Sequence, residues 1–150
     1  MDDVRTYKTV SRPGIAAVII CKRKVLLLRR RNVFFISNPG VWSILFGGIK
    51  RGEEPVETAY REIQEEVGLG RGHLKLRARG KVVLFDARRR QKWENWLFVF
   101  ASDYDGVRKN YESSAVRWSG LNSMLNKKDY TNVFVNEPRF LRILKRFING

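Results

Sequence analysis

The sequence predicts a single α/β domain, on three observations. Residues 14–21, GIAAVIIC, are almost continuously apolar, as a strand buried on both faces is. Residues 25–30, 74–85 and 93–101 add further strand-like runs. Residues 55–67 and again 139–148 instead carry apolar side chains at helical spacing. The 150 residues suit one domain (1–150) with a sizeable core, and no internal repeat or low-complexity linker divides them.

In chain order, the first strand and the run 25–30 are joined by a short basic turn, KRK. Arg29, Arg30 and Arg31 follow, read either as a phosphate clamp or as a solvated strand end. Asn38, Pro39 and Gly40 form a turn, and Trp42, read as core ahead of a base-stacking platform, leads into a glycine loop at Gly47 and Gly48. In the helix that follows, Glu54 stands at the N-cap and Pro55 at the first position, where its missing N–H costs nothing. Val56, Ala59, Tyr60, Ile63 and Val67 make one apolar stripe, and Gly68 suits the left-handed stop. Residues 70–72 break the chain. The strands 74–85 and 93–101 flank a basic hairpin loop, 86–92, that either reaches an anionic substrate or blunts a sheet edge with charge. Residues 115–118 read as a last short strand and 120–125 as the start of a short helix. A closing helix opens at Asn136, Glu137 and Pro138; its basic face, Arg139, Arg142, Lys145 and Arg146, would also suit a membrane surface. A sheet needs a cover, so this helix is assigned to the core.

The longest apolar run is far too short to span a bilayer, and no leader pattern is visible, so a cytoplasmic protein without membrane contact is expected. Cys21 is the sole cysteine, expected as a buried free thiol. His73 is the sole histidine, which excludes histidine-clustered zinc sites and is given no catalytic role. A net charge of +15 points to polyanionic partners.

Against that basic background, residues 53–69 hold six acids and one base. Glu62, Glu65 and Glu66 share one arc of the helix, where like charges destabilise it by a few tenths of a kcal/mol per pair unless neutralised. A solvated acidic face is the plain reading; a divalent cation held by oxygen ligands is the functional one.

Gly47, then Glu53, Arg61, Glu62, Ile63, Glu65, Glu66, Gly68 and Leu69 fall at every prescribed position of the Nudix box, and the chain resembles that family over this stretch most sharply. Looser likenesses are the LLLRR run, Trp42, and residues 112–118. The resemblance implies an α/β/α sandwich, a mixed β-sheet between helices with the box as loop, helix and loop. It implies hydrolysis of a nucleoside diphosphate linked to another moiety, with Mg²⁺ or Mn²⁺. It further implies that Glu62, Glu65 and Glu66 supply metal carboxylates and that one of them or a nearby acid is the general base. Arg61 would orient them, and Glu53 would bond Arg61 or a metal-bound water. The carbonyl of Phe46, where many members carry proline, is a further metal ligand by resemblance, as is Glu112, with Asp103, Asp105 and Glu94 as competitors. Arg29, Arg30, Gly47 and Gly48 are expected at the substrate.

The substrate stays open at this stage. Neither the proline nor the tyrosine that family members for ADP-ribose or dinucleoside polyphosphates often carry beyond the box occurs in residues 82–90; Phe85 stands there. A small nucleotide, such as a nucleoside triphosphate or nucleotide sugar, ranks first. Removal of pyrophosphate from RNA 5′ ends ranks second, with Phe85, Trp93 and Trp96 as base-stacking candidates. A noncatalytic nucleic-acid-binding module ranks third, and self-association into a homo-oligomer is left open.

Overall fold

The computed structural model describes residues 4–9, 13–30, 42–86, 90–110 and 113–120, with Arg142, Lys145 and Arg146. It contains eight strands in one mixed sheet: β1 (Lys8–Thr9), β2 (Gly14–Cys21), β3 (Lys24–Arg30), β4 (Trp42–Ser43), β5 (Leu45–Gly48), β6 (Leu74–Asp86), β7 (Gln91–Ser102) and β8 (Ser113–Gly120). The helix α1 (Pro55–Val67) lies between β5 and β6.

β2 is central, as its unbroken apolar run requires: every side chain from Ile15 to Cys21 is buried. β7 runs parallel along one of its edges, Gly14 beside Asn95 through Ile20 beside Ala101. The other edge is divided. Ile20 and Cys21 pair with β3, whereas Gly14 to Ala17 pair antiparallel with β5. β3 therefore leaves β2 after a two-residue turn and pairs along its length with β8, and at Leu28 and Arg29 with β4. The sheet forks, with β5, β2, β1, β7 and β6 in one wing, β1 pairing with the start of β7, and β4, β3 and β8 in the other. In the turn itself Lys22 and Arg23 both take left-handed φ values, 51° and 65°, the twist a two-residue hairpin demands.

α1 lies on β2, β5 and β7, burying Ala59, Ile63 and Val67 against Ile15, Ala17, Ile19, Leu45, Phe98 and Phe100. Each such side chain taken fully from water contributes roughly 1.5–3 kcal/mol. The opposite face, with Ala16, Val18, Val25, Leu27, Leu97 and Val99, is buried too. Gly120, where a short helix was expected to start, instead ends β8 opposite Lys24, and residues 121–125 lie outside the described residues. So does most of the expected closing helix; its Arg142, Lys145 and Arg146 are helical and exposed.

Two boundaries differ from expectation. The basic loop after β6 is shorter than 86–92, because Asp86, Gln91 and Lys92 already pair in the β6–β7 ladder. Cross-strand hydrogen bonding overrides the polar composition that marks a loop. The last strand is also longer, running from Ser113 to Gly120. Cys21 is buried and free; burial first, and then Asp105, push its thiol pKa up. Among the described residues no helix is long and apolar enough to cross a membrane.

Candidate active site

α1 begins at Pro55, but Glu54 does not cap it by its side chain. The anchoring acid is its neighbour. Glu53 Oε1 accepts from Thr58 Oγ1 at 2.6 Å and from the Lys50 N–H at 3.2 Å, while the Glu53 N–H donates to the Lys50 carbonyl. A carboxylate is a stronger acceptor than a backbone carbonyl, so the buried Thr58 hydroxyl fastens the loop to the first turn of α1 through it. At the other end Gly68, with φ of 71°, donates its N–H to Gln64, as the sequence suggests.

Arg61 is the centre of the site. Its Nε and Nη2 grip Glu53 at 2.9 and 3.0 Å, and Nη2 also donates to the Gly48 carbonyl at 3.1 Å. Its Nη1 reaches Glu62 Oε1 at 3.0 Å and Glu65 Oε2 at 3.2 Å. The guanidinium thus ties the glycine loop, the pre-helix turn and two helical carboxylates together. The Arg61 hydrogen bonds, then that from Thr58, lower the Glu53 pKa from 4.5 to about 2; the same bond to Glu53 raises that of Arg61.

Glu62 is the more enclosed of the two helical acids, its side chain 14% exposed against 52% for Glu65. It lies against Gly47, where an added Cβ would come within 2.3 Å of Glu62 Cγ. Only a residue without a side chain leaves the Glu62 carboxyl its place beside the β5 backbone. That backbone also carries the Phe46 carbonyl. Glu66 is half-buried one turn beyond Glu62.

In this arrangement no three carboxylate, imidazole or thiol groups among the described residues are gathered as a metal cage. Arg61 stands between Glu62 and Glu65 and holds both. The donor set nevertheless fits a hard divalent cation, with three carboxylates within two helical turns and one of them pressed against a strand backbone that offers carbonyl oxygen.

Other expected residues are placed less centrally. Arg29 is exposed on β3, opposite Trp42 and Ala115; Arg30 continues the strand, and its side chain lies outside the described residues. Trp42 is half-buried rather than core, with the Arg117 guanidinium 4.1 Å from its ring centroid. Trp96 is packed on the core with Lys81 over its ring, while the side chains of Phe85 and Trp93 lie outside the described residues. Glu112 does too, although Asn110, two residues before it, donates to the Glu65 carbonyl at 3.4 Å. Asp103 bonds His73 and Asp105 bonds Lys22, at the Cys21 end of β2 and away from Gly47; Glu94 is exposed beside Asn95. His73 also stacks on Tyr104.

Three residues were not singled out by sequence reasoning. Thr58 looks like ordinary helix filler, and Arg117 was passed over although the alternation of Val116, Arg117 and Trp118 sets it beside Leu27, on the face of the sheet opposite α1. Asn95 is buried beside Gly14, where an added Cβ would lie 2.6 Å from its Oδ1 and 2.9 Å from the Gly47 carbonyl. Nothing local marks it.

A family model for the NUDIX domain matches residues 10–135. An RNA pyrophosphohydrolase of Hahella chejuensis is 31% identical over 126 residues, which cover 71% of this chain and 74% of that protein. Another, from Photorhabdus laumondii subsp. laumondii, is 39% identical over 67 residues, 45% of this chain and 35% of that protein. The chain thus spans about a third of the length of that protein and of its Psychromonas ingrahamii counterpart. Among solved structures, the MutT protein from Methanosarcina mazei Go1 has a TM-score of 0.73 at 23% identity, covering 97% of this chain and 99% of that one. A C. elegans Ap4A hydrolase has a TM-score of 0.73 at 20% identity, covering 93% and 98%. At these identities the structures speak for the fold. With the family match over residues 10–135 and the box assembled around Arg61, the chain belongs to the NUDIX family.

Proposed function

We propose that this protein is a divalent-metal-dependent pyrophosphohydrolase that cleaves the diphosphate linkage of a nucleoside diphosphate joined to a further moiety. The observation that carries the reading is the Arg61 guanidinium holding Glu53, Glu62 and Glu65 together at the end of a glycine loop.

Glu62, Glu65 and Glu66, with the Phe46 carbonyl and Glu112, would hold Mg²⁺ or Mn²⁺. When bound, the metal neutralises the diphosphate and makes water more acidic. Water oxygen attacks phosphorus, the bond to the bridging oxygen breaks, and its electron pair leaves with the departing phosphate. The water proton passes to a carboxylate of the box. Glu53 serves this step indirectly by keeping Arg61 in place, and Arg61 sets the direction of Glu62 and Glu65. Arg29 and Arg30 would meet substrate phosphates, and Gly47 and Gly48 let the loop backbone approach them.

A small nucleotide is the first substrate reading. RNA 5′ ends are the second, favoured by the names of the Hahella and Photorhabdus relatives and by the net charge of +15. The test is product analysis by mass with Mg²⁺, offering nucleoside triphosphates, a dinucleoside polyphosphate, ADP-ribose and 5′-triphosphorylated RNA. Glu66→Gln is expected to lower kcat by at least about 10²-fold on whichever is cut. Near-wild-type turnover by that variant overturns the assignment of Glu66. RNA binding without any hydrolysis overturns the enzyme reading in favour of a binding module.

A further inference from the structure

Residues 71–92 hold nine arginines and lysines against one acid, Asp86. Most of this segment is β6, which pairs with β7 on one side and is an edge strand among the described residues. Lys75, Arg77, Arg79 and Lys81 are all exposed. The ion pairs made by Lys22, Arg61, Arg71 and His73 include none of these four. Concentrated like charge costs self-repulsion that an anionic partner relieves. Edge strands also carry lysine to deter pairing with other chains, but that role is indifferent to which face the charges occupy.

The register decides the face. Gly47 pairs with Ile15, Ile15 with Trp96, and Trp96 with Lys81, so one row crosses the sheet from the glycine that seats Glu62 to this lysine. Residues directly opposite on neighbouring strands share a face, and Ile15 belongs to the core under α1. Lys81 therefore stands on the face that carries Glu62. Three strand spacings of ~4.8 Å put it roughly 14 Å across the sheet from Gly47. Its ammonium is held 4.7 Å from the Trp96 ring centroid, which fixes the charge over the sheet. The next row on the same face runs Leu45, Ala17, Phe98 and Arg79, so a bulge after Leu76 is followed by two cations aimed the same way.

We propose that Lys81 and Arg79, on the helix-side face of the β6 edge, bind the phosphates of a single-stranded RNA a few nucleotides downstream of the 5′ end held at Glu62, Glu65 and Glu66. This rests on the RNA reading above and adds the surface that receives the body of the strand. The partner is a nucleic acid strand because both cations stand three strands across the sheet from β5, on the face that carries a site for phosphoric anhydrides. A mononucleotide whose anhydride lies at Glu62 keeps all its phosphates there, whereas the backbone of a strand carries further phosphates across the sheet.

The test compares wild type with the double variant Arg79→Gln, Lys81→Gln, both positions being exposed, after circular dichroism has checked the fold. On a 5′-triphosphorylated RNA of about 12 nucleotides, kcat/KM is expected to fall at least about fivefold through KM. Turnover of a nucleoside triphosphate stays as in wild type. In fluorescence anisotropy the slope of log Kd against log salt is expected to shrink by about 1.4, about 0.7 for each lost phosphate contact to a single strand. Unchanged RNA KM and salt slope overturn the proposal, as does an equal loss on the triphosphate. If wild type hydrolyses no substrate, the enzymatic reading fails while the anisotropy still tests the surface. Anionic vesicles bound by wild type through these residues, with RNA ignored, overturn it in favour of a lipid surface.

Discussion

Arg61 makes five hydrogen bonds in the structure, to Glu53 twice and to Glu62, Glu65 and the Gly48 carbonyl once each. The two to Glu53 need that acid ionised. Its pKa, lowered from 4.5 to about 2 chiefly by Arg61, is a depressed carboxylate. The stabilisation it supplies is therefore complete above the ordinary value and is lost as pH falls from about 4.5 through about 2. In metal-free protein, Glu53→Gln is expected to lower the urea midpoint near neutral pH, and the gap to wild type should close on acidification across that window. A gap that holds constant to pH 2 would mean that the charge on Glu53 is irrelevant to the fold. The resemblance left Glu53 to bond either Arg61 or a metal-bound water, and the structure has it on Arg61. Thr58, which supplies the second hydrogen bond to Glu53, was illegible because a threonine in a helix has many commoner reasons to be there.

At the scale of elements, the site depends on how closely α1 approaches β5. Gly47 and Gly48 are adjacent in sequence and both were expected at the substrate, yet their surroundings differ. A methyl at Gly47 would lie 2.3 Å from Glu62 Cγ and 2.5 Å from its Cδ, whereas one at Gly48 would meet nothing within 4 Å. Gly47→Ala is expected to lose about 1–3 kcal/mol of stability by overpacking. A carboxylate displaced by about 1 Å also costs up to about 10²-fold in turnover. Gly48→Ala should stay within about 0.5 kcal/mol of wild type in stability. Denaturant midpoints of the two variants check the contrast, and equal losses would show that chain flexibility is the requirement. The hairpin after β2 was legible as a turn from its basic residues, while the departure of β3 toward β8 was not. Strand partners are chosen by burial over the whole sheet, which no local window contains.

For the whole molecule, 30 basic residues against 15 acidic ones must be accommodated on one surface. Widening the Debye length from ~8 Å at 0.15 M salt to ~30 Å at 0.01 M restores repulsion between distant bases. Calorimetry in sodium chloride should therefore find Tm rising by a few degrees between the lower and the higher salt, at roughly 2–4 °C per kcal/mol for a chain of this size. A falling Tm would mean that the pairs at Lys22, Arg61 and Arg71 outweigh the net charge. Much of the protein was determined by sequence alone. The unbroken apolar run made β2 central, Pro55 and Gly68 bounded α1, and the spacing of Gly47, Glu53, Arg61, Glu62, Glu65 and Glu66 carried the resemblance to the NUDIX family, because each of these is a pattern within one short stretch of chain. Only the tertiary structure decided that Glu62 rests in the space Gly47 leaves, that Asn95 lies beside Gly14, and that Lys81 occupies the row of Gly47 on the face of α1. These relations join residues from 15 to 81 positions apart, and they exist once the sheet has paired and the register of β5, β2, β7 and β6 is set.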